Sequence, residues 1–455
     1  MRTDVAIVGA GPAGSSAAIH LARLGIEATI VEKVPFPRYH VGESMTGEAG
    51  GLLRELGLEE QMRAAGHPVK YGVNVFGSSD HTWWVPVMQR TPEGLVNQTT
   101  WQVRRSVFDS MLLAEASRHA TVLPGKALGP LLSHDGVVRG LRIRPADGGE
   151  LELEAELVLD CSGQSTFLAT HGVTGPKYLG AYDKQIAIFS QVVGLERDSG
   201  QNGARDAMPG NTLIFYKGKY HWAWAIPLDD EVVSVGVVTP SQYFLDRKES
   251  KRAFLERELR ELNQELARRL PTVAFVEDVH VIPNYSFQVR RFAGPGFVCV
   301  GDSHRFIDPI FSFGLFAAMK EAQFAAQTAK RYLERDGSNG DVFHEHMARC
   351  EYGIDNLEDL IDGFWENPLA FAVMLHRRYR DQIIDVFAGR IYPEDGPPSD
   401  AMIGLRKLLQ RERTYDDADL SYSVPIGSRY HPERAALWNS TLDSVETTEQ
   451  WMREN

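Results

Sequence analysis

Cysteine is scarce in this 455-residue sequence, and its three cysteines lie far apart at Cys161, Cys299 and Cys350. They form no CxxC pair and no cluster with histidine, which argues against a disulfide framework and a metal site of the zinc type. Long apolar runs are also missing, so no segment reaches the about 20 residues of a membrane-spanning helix. The sequence enters a strand pattern directly after Met1, without a signal segment, and we expect a cytoplasmic protein.

Positive charge is in short supply as well. Lysine and arginine number 48 against 61 acidic residues, for a formal net charge of −13. This balance argues against a nucleic-acid-binding protein. The composition is otherwise that of a globular protein, with 43% hydrophobic residues. The length predicts two or three domain-sized units, or one domain with a large insertion.

The clearest motif lies in the first forty residues. An apolar run at residues 4–8 predicts a buried strand, and the sequence GAGPAG from Gly9 to Gly14 follows it at once. In such a turn Gly9 permits the tight bend, Gly11 lets a pyrophosphate approach the backbone, and Gly14 lets the next helix pack on the strand. Glu32 ends the following strand, where a carboxylate can accept hydrogen bonds from a ribose. The motif predicts a dinucleotide site but does not by itself separate FAD from NAD.

Two later segments favour FAD. Residues 157–161 and residues 297–300 each predict another buried strand, and each runs into a glycine turn. A helix is predicted to begin at about Leu315. A binding fold assembled from segments near residues 1, 160 and 300 would wrap around one long ligand.

These segments resemble the FAD module of the aromatic-hydroxylase superfamily. In the sequence GD, Asp302 matches an aspartate that reaches the ribityl and pyrophosphate region of the cofactor. Arg105 matches an arginine that lines the cofactor. The resemblance implies an α/β fold: a Rossmann-like FAD-binding domain with an interleaved β-sheet substrate domain and a C-terminal helical region.

Three more motifs narrow the resemblance. FIDPIFSFG, ending at Gly314, fits the pattern FxxPxxSxG, WAWAIP from Trp222 to Pro227 fits WxWxIP, and GES ends at Ser44. Together they resemble the flavin-dependent halogenases over about residues 1–340, in particular the compact members that act on pyrroles or phenols. Phe311 stands where tryptophan halogenases carry a glutamate, which argues against that branch.

The resemblance implies an enzyme that uses reduced FAD, O₂ and chloride or bromide to form hypohalous acid. Lys70 would receive the hypohalous acid, by hydrogen bonding or as a haloamine, and Glu43 would orient Lys70 or the halogenating species. Backbone N–H groups at a helix start can hold an anion. The residues implied for the halide are Ser312, Phe313 and Gly314. Those implied for FAD are Gly9, Gly11, Ala13, Gly14, Glu32, Arg105, Asp302 and Gly314. Those implied to shield the flavin from the organic substrate are Trp222, Trp224 and Pro227.

The implied partners follow from the same resemblance. Only one dinucleotide fingerprint is present, so a separate NAD(P)H-flavin reductase would supply reduced flavin. The organic substrate would be an electron-rich pyrrole or phenol in natural-product biosynthesis, either free or tethered to an acyl or peptidyl carrier protein. His221 and His304 are candidates for proton handling, beside the simpler interpretation that each is a local hydrogen-bonding residue.

The expected organisation is an FAD-binding module at residues 1–340 and a helical region at 341–455 that caps the substrate pocket. The interleaved sheet is expected at about 73–102 and 185–280, and one charged amphipathic helix at 241–270. His304, Phe313 and Phe316 stand where the halogenases usually have small residues. The alternatives are therefore an aromatic hydroxylase or monooxygenase, a desaturating flavoprotein on the same scaffold, or a flavin-binding sensor.

Overall fold

The computed structural model describes residues 1–77, 82–91, 94–97, 99–180, 182, 184–198, 208–334, 342–409 and 436–438. Its described strands form two large sheets, a smaller four-stranded sheet and two two-stranded pairings. In chain order the strands are β1 Arg2–Val8, β2 Ala28–Glu32, β3 Val69–Lys70, β4 Gly72–Phe76, β5 Thr82–Pro86, β6 Met88–Thr91, β7 Gly94–Asn97, β8 Thr100–Trp101, β9 Thr121–Leu132, β10 Val138–Pro145, β11 Leu151–Asp160, β12 Lys177–Leu179, β13 Gln185–Val193, β14 Thr212–Gly218, β15 His221–Pro227, β16 Val232–Pro240, β17 Ala274–Phe275, β18 His280–Pro283, β19 Phe287–Val289, β20 Ala293–Gly294, β21 Phe297–Cys299, β22 Arg305–Phe306 and β23 Ala436–Trp438.

The α-helices cover the first sheet, pack on one face of the second sheet and make up most of the described C-terminal region. In chain order they are α1 Pro12–Arg23, α2 Gly47–Glu55, α3 Glu59–Ala64, α4 Arg105–Ala116, α5 Phe167–Thr170, α6 Ser241–Arg247, α7 Lys251–Glu261, α8 Gln264–Arg268, α9 Gly314–Glu334, α10 Val342–Glu366, α11 Pro368–Val373, α12 Arg380–Ala388 and α13 Asp400–Leu408. Among the described helices, none combines the length and apolar character needed to cross a membrane.

The first sheet has a parallel centre in the order β2-β1-β11-β21. These are the apolar runs that the sequence predicts as buried strands, and helices cover them as parallel sheets require. Helices α1 and α9 pack against each other there. Strands β9, β10 and β11 form an antiparallel meander that brings β9 back beside β2. The carboxyl ends of β1, β11 and β21 therefore meet at one edge, where α/β sheets bind their ligands.

The second sheet has eight strands, in the order β17-β13-β16-β15-β14-β4-β5 with β18 on β13. Its strands come from the 72–86 and 185–283 parts of the chain, between segments of the first sheet. One face packs on α7 and α8, and the other faces the first sheet. This is the α/β architecture that the sequence predicts. The division of the chain into domains stays a prediction, since of residues 341–455 the structure describes only 342–409 and 436–438.

The single helix predicted at 241–270 is wrong, because the chain forms three short helices there. Lys248 adopts a left-handed conformation with φ of 52°, which ends α6. Ser250 then accepts the Ala253 N–H and caps α7. Asn263 caps α8 in the same way. Side chains that bond to the backbone favour such caps over a continuous helix.

A buried ion cluster attaches α10 to the short strand β22. The Arg305 guanidinium, on β22, contacts Glu351 and lies 2.8 Å from Asp355 and 3.0 Å from Glu358. All four side chains are almost inaccessible to solvent. Burial raises the pKa of Glu351, while the arginine acts in the opposite direction. The cation therefore stabilises carboxylates that would otherwise be costly to bury.

Replacing Arg305 with leucine should destabilise the fold strongly. The change leaves buried carboxylates without their cation, at a cost of about 3–5 kcal/mol in the free energy of unfolding. Urea unfolding of the purified protein measures it. Arg252→Leu is the control, because its contact with Glu256 is exposed and should contribute at most about 1 kcal/mol. Equal unfolding midpoints for the two variants would contradict the assignment.

Candidate active site

A cavity of about 860 Å³ lies between the two sheets. That volume falls in the about 300–1,000 Å³ range of small-molecule and cofactor sites. The turn after β1, the end of β2 and the GES segment line it on one side. Strand β15 and the turn before α9 line it on the other. The structure thus brings to one place most of the residues that the sequence singles out.

The glycine turn has the shape of a phosphate cradle. Gly9 has φ of 99°, and a Cβ there would lie 2.6 Å from the Cys161 carbonyl oxygen. A Cβ on Gly14 would lie 1.9 Å from the Gly9 oxygen, so Gly14 allows α1 to pack closely rather than lining the cavity. Helix α1 begins at Pro12 after Gly11, which provides no side-chain cap. Its first N–H groups are therefore left for an anion.

Glu32 and Asp302 both line the cavity. The Glu32 carboxylate accepts the Ala10 N–H at 2.7 Å and the Val34 N–H at 2.8 Å, which fixes it beside the glycine turn. Burial raises the pKa of Asp302 to about 6, with Arg105 acting in the opposite direction. Each carboxylate oxygen has more than one lone pair, so Glu32 can still accept from a ribose.

Arg105 lines the cavity and also anchors the segment before the GES motif. Its Nε and Nη2 donate to the Asp109 carboxylate at 2.7 and 3.0 Å. Its Nη1 donates to the Val41 oxygen at 2.7 Å and the Gly42 oxygen at 3.2 Å. The arginine therefore fixes the backbone that leads into Glu43.

The residues present fit FAD. The lining of the cavity includes residues from the glycine turn to the start of α9. It offers a phosphate cradle, a carboxylate for a ribose and a second carboxyl group. Ala13 lines it beside the cradle, and Gly314 lines it at the far end.

A tryptophan wall, defined as Trp222, Trp224 and Ile226 of β15, forms one side of the cavity. These residues alternate along the strand and share a face, as period-two geometry requires. The two indole rings lie 5.8 Å apart, and Trp224 Nε1 donates to Ser234 Oγ at 3.2 Å. Pro227 is buried at the end of β15 but is not part of the lining.

Gly236 makes room for this wall. It pairs with Trp224 across β15 and β16, and a Cβ there would lie 2.2 Å from the indole ring. Trp222 Nε1 is buried and has no hydrogen-bond partner among the described residues.

Lys70 lies beside the cavity on the short strand β3 and is 2% exposed. Its Nζ donates to Ser44 Oγ and to the Met45 carbonyl oxygen, both at 2.8 Å. Ser44 lines the cavity, whereas Lys70 is one step behind it. Burial lowers the pKa of Lys70 to about 7. A substantial fraction of the amine is therefore neutral at physiological pH.

Glu43 lies on the cavity wall, on the side of the tryptophans. Its Oε1 accepts from Gln191 at 3.3 Å. Burial raises its pKa to about 7, against hydrogen bonding from Ser234 and Gln191. Ser234 is the residue that also accepts from Trp224. The hydrogen-bond partners of Lys70 are Ser44 and Met45 instead, so the geometry does not link Glu43 directly to the lysine.

The predicted halide turn lies at the start of α9. Ser312 adopts a left-handed conformation with φ of 61°, and its N–H is already donated to the Pro309 oxygen at 3.1 Å. In the part of the chain that the structure describes, the N–H groups of Phe313 and Gly314 donate to no backbone acceptor outside α9. All three residues line the cavity. Two backbone donors, rather than three, are thus available to an anion.

The two candidate histidines differ in position. His304 lines the cavity, stacks on Phe292 at 4.1 Å and has its Nδ1 3.4 Å from Glu321 Oε2. Burial lowers its pKa well below the usual value, which favours the neutral ring. His221 points to the other face of β15, where its Nε2 lies 2.9 Å from Glu258. His221 is therefore not among the residues that line the cavity.

The aromatic side chain of Phe311 connects the halide turn to the C-terminal helices. Its ring contacts those of Phe364 on α10, Phe371 on α11 and Phe387 on α12, at centroid distances of 5.5, 6.5 and 4.8 Å. Ile354 of α10 lines the cavity itself. Helix α10 is thus part of the cavity wall, and the predicted capping of the pocket by the whole C-terminal region stays a prediction.

Sequence reasoning missed two residues beside Lys70. Thr212 lines the cavity and lies 3.0 Å from Ser44 Oγ, and Gln102 donates to Thr212 at 2.7 Å. These contacts join residues 168 and 110 positions apart. No local motif marks Thr212 or Gln102, whereas Ser44 belongs to GES and could have been singled out.

Comparison with known proteins agrees with this geometry. The chain matches the FAD binding domain family over residues 2–329. It is 35% identical over 396 residues to the 1H-pyrrole-2-carbonyl-(peptidyl-carrier protein) brominase of Pseudoalteromonas luteoviolacea, covering 86% of this chain and 93% of that protein. It is 28% identical over 430 residues to the corresponding chlorinase of Pseudomonas fluorescens, covering 89% and 93%.

A solved structure extends the likeness to the fold. The flavin-dependent brominase Bmp2 superposes with a TM-score of 0.81 at 33% identity, covering 90% of this chain and 98% of that one. The predicted fold class, the FAD cofactor and the enzyme class are confirmed. The chain belongs to the flavin-dependent halogenases.

Proposed function

We propose that this halogenase brominates or chlorinates a pyrrole ring that a peptidyl carrier protein presents as a thioester. Support for the substrate comes from the two relatives above, whose names give a pyrrole-2-carbonyl group on a carrier protein. The observation that carries the chemistry is the buried Lys70 amine, which contacts a residue of the cofactor cavity and has no carboxylate among its hydrogen-bond partners in the described part of the chain. A phenol is the second substrate class that the family allows.

Bound reduced FAD supplies the reaction with O₂ that oxidises a halide to hypohalous acid. The chain holds FAD through the glycine turn and the N-terminus of α1, with Glu32 at a ribose and Asp302 further along. Arg105 lies at the same cavity. Reduced flavin comes from a separate NAD(P)H-flavin reductase, because the sequence contains one dinucleotide fingerprint and that one is used for FAD.

The halide binds at the turn before α9. The free N–H groups of Phe313 and Gly314 donate to it, and the positive end of α9 adds to the attraction. Phe313 does not prevent this, since a side chain leaves its own N–H unchanged. Ser312 contributes its left-handed turn and its side chain at the cavity.

The tryptophan wall keeps the pyrrole away from the flavin. Two indole rings on one face of β15 fill the region beside the cofactor. A halide ion is small enough to enter this region, whereas a pyrrole ring is too large. The role of the wall is therefore to exclude the organic substrate from the region beside the flavin. Direct transfer of oxygen to the organic substrate would need a gap on that side.

Lys70 passes the halogen from the cavity to the pyrrole. A buried amine with a pKa near 7 can polarise hypohalous acid as an ammonium ion or accept the halogen as a neutral amine. Glu43 takes the second of its two predicted roles, orienting the halogenating species, because Lys70 has other hydrogen-bond partners. Its raised pKa lets the carboxyl group donate or accept near neutral pH.

The substrate assignment is tested by product mass. The enzyme with reduced FAD is incubated with bromide or chloride and either pyrrole-2-carbonyl carrier protein, free pyrrole-2-carboxylate or a carrier-bound phenol. We expect halogen in place of hydrogen on the carrier-bound pyrrole, and only when halide is added. Oxygen insertion, or a product that forms without halide, would instead identify a hydroxylase.

Replacing Lys70 with methionine should abolish halogenation while FAD stays bound. The side chain keeps its length and loses the amine, and we expect a fall in product of at least about 100-fold, as for other removed acid–base groups. Lys177→Met is the matched control, since burial also lowers the pKa of Lys177, to about 8, and that residue lies outside the cavity lining. A Lys70→Met enzyme that halogenates at the normal rate would refute the relay.

Opening the tryptophan wall should change what happens at the flavin. In Trp222→Ala and Trp224→Ala we expect several-fold more hydrogen peroxide per halogenated product, or oxygenated pyrrole. Both are measured in single turnovers by peroxide assay and product mass. Trp365→Ala removes a buried indole that does not line the cavity and serves as control. Unchanged coupling in both wall variants would mean that the pair is ordinary packing.

A further inference from the structure

A chain of buried hydrogen bonds connects the cavity wall to the Lys70 amine. Gln102 Nε2 donates to the Gly210 carbonyl oxygen at 2.9 Å and to Thr212 Oγ1 at 2.7 Å. Thr212 Oγ1 lies 3.0 Å from Ser44 Oγ, which accepts from Lys70 Nζ at 2.8 Å. Gln102, Thr212, Ser44 and Lys70 are 0, 1, 3 and 2% exposed. Water therefore cannot easily replace any member of the chain.

The Gln102 end of the chain of hydrogen bonds determines which groups donate and which accept. A carbonyl oxygen can only accept, so the Gln102 atom that faces Gly210 must be the amide nitrogen. The same nitrogen then donates to Thr212, whose hydroxyl has to accept that bond. Ser44 in turn has to accept from Lys70. These requirements restrict both hydroxyl groups to a few orientations and hold Ser44 Oγ in place.

The number of hydrogen-bond acceptors around the Lys70 amine matches the neutral form of the amine. Its hydrogen-bond acceptors among the described residues are Ser44 Oγ and the Met45 oxygen. A neutral amine has two hydrogens and one lone pair, whereas an ammonium ion has three hydrogens. Two acceptors take both hydrogens of the neutral form and leave its lone pair in the remaining tetrahedral direction.

We propose that Gln102, Thr212 and Ser44 are positioning residues that orient the Lys70 amine for halogen transfer. This rests on the proposed function of Lys70. The amine lone pair forms the N–X bond as the O–X bond of hypohalous acid breaks, and the departing hydroxide takes an amine proton to leave as water. The pyrrole carbon then forms the C–X bond as N–X breaks, and the proton it loses returns to the amine. The chain fixes the direction of the lone pair in the first step and of the N–X bond that replaces it in the second.

The chain also has a structural alternative. It connects the GES segment to β14, and Ser44 and Gln102 form an isolated β-bridge. A role limited to holding these segments would affect FAD binding and halogenation together. Orientation of the amine would affect halogenation and its pH dependence alone, which separates the two.

The test uses the full-length, FAD-loaded enzyme in single turnovers with bromide and pyrrole-2-carbonyl carrier protein across pH. In Thr212→Val we expect the maximal bromination rate to fall about tenfold, as expected when one positioning hydrogen bond is lost. FAD affinity and the rate of flavin oxidation should stay unchanged. Thr212→Ser restores the hydroxyl and should recover most of the rate.

Ser44→Ala adds a second readout, the pH dependence of the rate, which would not change if Ser44 had only a packing role. If the neutral amine is the reacting form, the rate rises with pH through the pKa of Lys70. Loss of an acceptor disfavours the ammonium form, so the acid limb of the profile should move to lower pH while the maximal rate falls.

Two results would overturn the positioning role. One is a normal rate and pH profile in both Thr212→Val and Ser44→Ala while Lys70→Met is inactive. The other is a loss of FAD affinity in both that accounts for their loss of rate, which assigns the chain to structure. An active Lys70→Met enzyme is a different failure, because it removes the lysine relay on which the inference rests.

Discussion

The mechanism we propose depends on keeping the Lys70 amine out of water without giving it a carboxylate among the described residues. A carboxylate next to Lys70 would hold it as an ammonium ion, because an opposite charge favours the charged form. The structure instead surrounds the amine with a hydroxyl group and a carbonyl oxygen, which are neutral acceptors. Burial then acts without opposition and brings the pKa of Lys70 to about 7. This lowered pKa is what the proposed transfer of a proton or a halogen at ordinary pH requires of Lys70.

The two sheets provide different parts of the site. The first sheet provides the glycine turn and the carboxyl ends of parallel strands, where a long cofactor fits. The second provides the tryptophan wall and, through β14, Thr212. Between them runs the GES segment, which Arg105 fixes through the Val41 and Gly42 oxygens. Ser44 lies in this segment and faces the cavity on one side and the lysine on the other, so small shifts of the segment would change both.

Local patterns in the sequence predict much of this arrangement. Apolar runs identify the central strands, the spacing of glycines identifies the cradle, and period two places both indoles on one face. What the sequence does not predict depends on distant pairings. Gln102 and Thr212 meet only because β14 lies beside the GES segment, and the geometry gives Lys70 the partners Ser44 and Met45 rather than Glu43.

Hydrogen bonds to backbone groups account for two further differences between the predicted and the observed structure. The Ser312 N–H is already bonded to Pro309, so the anion turn has two free donors rather than three. The helix predicted at 241–270 breaks because Ser250 and Asn263 cap new helices. In both places a local hydrogen bond decides the structure, and the periodicity of side chains does not report it.

The ionisation of Lys70 tests the central claim most directly. Lysine labelled with ¹³C at Cε and ¹⁵N at Nζ reports the charge of each amine by NMR, and the resonance missing from Lys70→Met identifies this residue. In the FAD-loaded enzyme the account predicts that the Lys70 signal titrates with a midpoint near pH 7. A signal that remains that of an ammonium ion up to about pH 10, as for a solvent-exposed lysine, would contradict it.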